Sequence, residues 1–150
     1  MGRFKWHRRA GLTIVEMMMV VLFIGILVAV AVPRFLDTSG VASDSSLGQT
    51  LRVVRDAIER YASDNGGALP GAGKDAKVFA VDLAPYLRGG LPVCPISPCT
   101  NSRVIFDSRA PLQGNASSGQ GWRYNPLTGE FICNNESRTK SNPAVCYDEL

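Results

Sequence analysis

The feature that most constrains this chain of 150 residues is an apolar run over residues 12–32, LTIVEMMMVVLFIGILVAVAV, in which only Thr13 and Glu16 are polar. A helix of that length spans about 30 Å, the thickness of a bilayer's hydrocarbon core. Its thirteen Leu, Ile, Val and Phe residues favour insertion by roughly 4–8 kcal/mol, against a cost of about 3 kcal/mol for an acid at the helix centre. Insertion wins. Arg3, Lys5, Arg8 and Arg9 all precede Gly11, and no acidic residue does. That bias holds the N-terminus in the cytoplasm and exports the body that follows. A plain anchor, however, has no use for Glu16.

The formal charge of +3 belongs to the basic leader; without residues 1–11 the balance is −1. A body so close to neutral exerts no global pull on nucleic acid, which argues against DNA as a partner. All four cysteines, Cys94, Cys99, Cys133 and Cys146, lie in the C-terminal half. An even number beyond a membrane segment points to disulfides in an oxidising compartment. Three connectivities are open, the simplest being the local pairs Cys94–Cys99 and Cys133–Cys146; the second would contribute about 3 kcal/mol through loop closure. The spacings contain no CxxC pair, and the one histidine, His7, sits in the leader. Neither zinc nor thiol oxidoreductase chemistry is indicated.

Beyond Gly25 and Pro33, both weak points for a helix, helical periodicity resumes. Leu47, Leu51, Val54, Ile58 and Tyr61 form one stripe, and the SDNGG at 63–67 supplies a stop. One long helix is therefore expected from about 12 to 65, with a kink near Pro33. Residues 75–87 predict a short helix with Val78, Leu83 and Leu87 inward, and 103–107 a strand. GWRYNPLTGEFICN is a β-hairpin pattern around Pro-Leu-Thr-Gly. The Pro- and Gly-rich 89–99 and residues 135–150 read as irregular, the latter tied back through Cys146. The fold class is α+β, an amphipathic helix on a small antiparallel sheet.

A secretory signal peptide with an Ala29-Val30-Ala31 cleavage site would explain the basic start, but its apolar core would be shorter and free of acid. A different pattern accounts for every feature at once. The segment RRAGLTIVEMMMVVLFIGILVAVAVPRF resembles the N-terminus of type IV pilins and of type II secretion pseudopilins. A basic leader ends in Gly11, a hydrophobic Leu12 and then Thr13 follow, Glu16 is fifth after the glycine, and Gly25 and Pro33 interrupt the helix. Leu12 stands where phenylalanine is usual.

The resemblance implies a leader at 1–11, a membrane and filament-core helix at 12–33 and a periplasmic pilin-like domain at 34–150. It implies cleavage after Gly11 by a prepilin peptidase and N-methylation of Leu12. Glu16, Gly25 and Pro33 then serve assembly: Glu16 pairs with the N-terminal amine of a neighbouring copy, and the Gly25–Pro33 stretch is free to unwind during transfer into the filament. The implied partners are further copies, other pilins or pseudopilins, and an inner-membrane platform with its cytoplasmic ATPase. A Cys133–Cys146 bond would be similar to the disulfide-closed C-terminal region of many pilins.

The function so implied is a structural subunit of a type IV pilus-like filament. The alternatives are a secretion pseudopilin and, from a different class, an anchored periplasmic binding or thiol-redox module. No enzyme is expected: no histidine follows the leader, the carboxylates are scattered, and no G-x-S-x-G nucleophile motif is present. No metal or other cofactor is called for, and Asp148 and Glu149 read as solvated tail charges rather than calcium ligands.

Overall fold

A computed structural model describes residues 13–150 other than positions 72 and 74, with the backbone alone over 33–39. Gly11, Leu12 and the leader lie outside the described residues. The chain divides into two compact units, one up to Thr38 and one from Ser39. Helix α1 runs Ile14–Asp64 without interruption, so the helical hydrogen-bond pattern carries on through both Gly25 and Pro33. The expected long helix thus continues across Pro33: a proline costs one backbone bond, and the flanking turns keep theirs.

In the first unit, Ile14–Val32 has a mean hydropathy of 2.8, and none of the side chains across that span is buried. Many are β-branched, a poor choice for an isolated helix in water. Lipid reverses the preference, because a backbone without water must satisfy its own polar groups and the helix does so within one segment.

In the second unit α1 turns amphipathic. Asp44, Leu47, Leu51, Val54, Ala57 and Ile58 are buried, the three-and-four spacing of one helix face. The end is a Schellman turn: Gly67 N–H reaches Ala62 O at 2.7 Å, and Gly66 takes the left-handed φ of 64°. Helix α2 spans Ala76–Leu83, with the Asp75 carboxylate accepting Lys77 N–H as N-cap. Its inward residues are Phe79 and Leu83, and Leu87 continues that spacing past the helix end. Val78, expected inward, is 38% exposed. A stripe drawn through 79, 83 and 87 leaves position 78 about a quarter-turn away from the core.

The sheet holds three strands in the order β1 (Val104–Phe106), β2 (Trp122–Tyr124) and β3 (Phe131–Cys133). β2 and β3 form the expected antiparallel hairpin, with Trp122 opposite Cys133 and Tyr124 opposite Phe131. β1 pairs parallel to β2, Val104 opposite Trp122, so the sheet is mixed where an antiparallel one was expected. The connection over 107–121 reverses the chain and returns it, a crossover that parallel neighbours require. Every residue of β2 and β3 is buried. One face meets the helices through an aromatic cluster, with Phe79–Tyr124 centroids 4.5 Å apart and Trp122–Phe131 5.2 Å. The other lies beneath the crossover.

Candidate functional site

The carboxylate in the apolar run closes the first turn of its own helix. Thr13 Oγ1 accepts the Glu16 N–H at 3.2 Å, and Glu16 Oε2 accepts the Thr13 N–H at 3.2 Å and its hydroxyl at 3.3 Å. This is a capping box, in which two orphan N–H groups are satisfied reciprocally. The signal T-x-x-E stands plainly in the sequence, where Thr13 reads as a position in the family pattern and not as the cap of Glu16 that it is. A carboxylate offers about four acceptor positions, so the cap leaves room at Glu16 for a further donor. Around it, Thr13, Ile14, Met17, Met18, Val21 and Leu22 line an open, almost wholly apolar surface. Gly25 has open space around its Cα, with nothing within 4 Å of an added Cβ.

The body is held by polar anchors far apart in sequence. Asp44, buried on α1, accepts Ser141 N–H at 2.6 Å and the Tyr147 hydroxyl at 2.8 Å. Burial works to raise this carboxyl, and the hydrogen bonds from Ser141 and Tyr147 outweigh it and leave it below the usual range. Burial and then the Asp44 bond push Tyr147 up to about 12. Arg55 on the same helix donates from Nε to Phe131 O at 3.0 Å and from a terminal nitrogen to the backbone oxygen of Leu150 at 2.8 Å. On β2, Arg123 is buried and donates to Asp107 at 3.0 Å and Asn134 at 3.1 Å. The Arg109 side chain and backbone N–H, then Arg123, hold Asp107 down at about 2.

A groove of about 870 Å³ runs beside Arg55 and carries Glu59, Glu130, Glu136, Asp148 and Glu149. Most of these acids are occupied. Glu130 accepts Leu112 N–H, Asp148 accepts Gly114 N–H at 2.8 Å and Glu136 accepts Ala116 N–H at 2.6 Å. Side-chain oxygens thus replace a neighbouring strand along 112–116, and they strap the crossover to the body. Asp148 is therefore more than a solvated tail charge, since it is half-buried and holds Gly114, whereas Glu149 is exposed as expected and accepts the Cys146 N–H at 2.9 Å. Among the described residues no three His, Cys, Asp or Glu side chains gather as a metal site.

The cysteines depart from the local pairing. Cys94 Sγ lies 3.6 Å from Cys133 Sγ, both buried. The Cys99 thiol instead faces the carbonyls of Asn134 at 3.5 Å and Ala116 at 3.6 Å, and Cys146 is half-buried. Neither Cys94–Cys99 nor Cys133–Cys146 is the sulfur contact the fold makes. The reason is the path of residues 91–101, which turn back over the start of β2 and set Cys94 against β3.

An apolar, capped helix that carries one carboxylate and continues into an α+β body of this kind defines a pilin-like protein. Two curated relatives agree. Over 50 residues the chain is 44% identical to the type IV narrow pilus major component PilA5 of Thermus thermophilus, covering 33% of this chain and 43% of that one. Over 60 residues it is 35% identical to competence protein ComGC of Halalkalibacterium halodurans, covering 40% and 59% respectively. In these stretches the chain is similar to proteins of the type IV pilin family. It spans about half the length of the curated relatives it matches. No family model matches it, and no solved structure does.

Proposed function

We propose that this chain is a structural, non-enzymatic subunit of a type IV pilus-like filament. A prepilin peptidase cuts after Gly11, Leu12 is N-methylated, and the apolar part of α1 first anchors the subunit in the inner membrane and then packs with other copies. One observation carries the reading. A helical span of 19 residues, Ile14–Val32, leaves every side chain unburied by its own chain and presents a carboxylate in its first turn. Lipid covers such a surface before assembly, and equivalent helices cover it afterwards by close side-chain packing. An acid in that setting is costly unless paired. The Leu12 amine of a neighbouring subunit would neutralise it at one axial offset only, which makes Glu16 a register mark.

The thiol-redox alternative finds no support in the body, where Cys94, Cys99 and Cys133 are buried and so out of reach of a protein substrate. The test is direct. The mature N-terminal peptide from membranes should begin at N-methylated Leu12, whereas a start at Val32 or Met1 would overturn the proposal. Glu16→Gln should abolish filaments while leaving the subunit in the membrane; wild-type polymer yield from that variant would remove the role given to the carboxylate.

A further inference from the structure

We propose that Cys94 and Cys133 form a disulfide that pins the turn after α2 to the last strand of the sheet. The two sulfurs approach to 3.6 Å inside the core, and neither residue has any exposed surface. The surrounding backbone is built for this approach. Cys94 N–H donates to Asn101 O at 3.1 Å, and Asn101 Oδ1 accepts Gly121 N–H at 3.0 Å. The residues around Cys94 are thus latched to the head of β2. Gly121 O in turn accepts Asn134 N–H at 3.0 Å, next to Cys133. Gly121 has no room for a side chain: a Cβ there would stand 2.1 Å from Asn101 O and 3.0 Å from Cys94 Cβ. The missing methyl is what lets the turn lie flat on the strand and brings the two cysteines together.

Of the other two cysteines, Cys146 is half-buried and its backbone N–H is held by Glu149. Cys99 points its thiol at two carbonyl oxygens, and burial raises it, which keeps it protonated and unreactive. Within the close pair, the hydrogen bond from Cys133 draws the Cys94 thiol down, while that bond and burial push Cys133 up. In the reaction, the thiolate of one cysteine of the pair displaces one sulfur of a small-molecule or protein disulfide oxidant, forming a mixed disulfide. The other cysteine, losing its proton, then attacks the protein sulfur of that mixed disulfide and releases the second thiol. Two thiols have given up two protons and two electrons to form one S–S bond, and the oxidant has become two thiols. Both sulfurs are buried in the finished core, so the exchange takes place while the body folds.

Oxidation inside the cell rests on export of the body, as proposed above; the pairing itself does not. The experiment separates them. Full-length protein is unfolded, refolded by dilution into detergent with reduced and oxidised glutathione, alkylated and digested with trypsin. Cys94 and Cys99 fall in peptide 89–103, Cys133 in 124–138 and Cys146 in 141–150. The expected product joins 89–103 to 124–138, survives in the Cys99→Ser/Cys146→Ser variant and is missing in Cys94→Ser. Reduction should lower the melting midpoint of the double variant by about 10 °C. A bond between 124–138 and 141–150, a bond internal to 89–103, or four alkylated thiols would overturn the pairing. Protein taken directly from cell membranes should carry the same linkage. If it forms on refolding but is missing from cells, the pairing stands and export falls.

Discussion

Residues 14–32 and residues 44–61 belong to one helix and obey opposite rules. In the first stretch nothing is buried and the apolar residues show no period. In the second, a single stripe from Asp44 to Ile58 is buried and the rest of the turn is wet. The contrast separates two sources of stability. The amphipathic stretch is stabilised by side chains of its own body, so its sequence must carry the period of the face it packs. On the proposed reading the uniform stretch draws on a covering from outside the chain, and its sequence needs only to be apolar all round, apart from Glu16, to which the proposal gives the setting of position.

The sharpest way to break this comparison is to exchange the consequences of mutation between the stretches. Glu16→Ala should eliminate filaments, the largest effect expected here, and leave the melting midpoint of the body unmoved. A shifted midpoint would show that the two stretches are not independent. Leu51→Ala should destabilise the body by about 2–5 kcal/mol, read from denaturant unfolding. Leu22→Ala, an equal loss of apolar volume in the exposed stretch, should leave that unfolding curve in place. Asp44→Ala removes the acceptor for Ser141 and Tyr147 and should cost about 1–3 kcal/mol. A silent Asp44 variant would mean that the apolar stripe alone docks the helix.

Acid should act on the body as well. The folded pKa of Asp107 is about 2, below its unfolded value of about 3.9. Its contribution is present above the unfolded value and is lost as pH falls from about 4 through 2. The loss should be on the order of 1 kcal/mol and vanish in Asp107→Asn, which urea midpoints across that pH range would reveal. The smallest effect belongs to Tyr124, whose buried hydroxyl has no hydrogen-bond partner among the described residues. Burial also pushes its ionisation well above the usual tyrosine range. Tyr124→Phe should change stability by less than about 1 kcal/mol, in the stabilising direction; a clear loss would show that the hydroxyl is satisfied in solution.

What the sequence made legible follows the same division. The two characters of α1, its stop at Gly66–Gly67 and the β2–β3 hairpin were readable because each depends on residues close in the chain. The parallel pairing of β1 was not, since three-residue strands carry little register and the crossover over 107–121 contains no signal for its return path. Val78 was misplaced because a stripe in a helix of eight residues can be drawn through more than one set of positions, and Phe79 took the core. The sulfur contact across 39 residues depends on a turn folding onto a strand, where local spacing says nothing. At Glu16 the carboxylate was evident, and its partner Thr13 was legible from the T-x-x-E spacing.

The Thr13 hydroxyl changes what an unassembled subunit is. On the proposed reading, a copy waiting in the bilayer does not hold a naked charge in oil, because its own first turn already shelters one oxygen. The pool of idle molecules can therefore persist without hurrying into polymer. Joining becomes the addition of one more donor to a group already at rest, so growth can be governed by the assembly machinery rather than by relief of distress in the monomer.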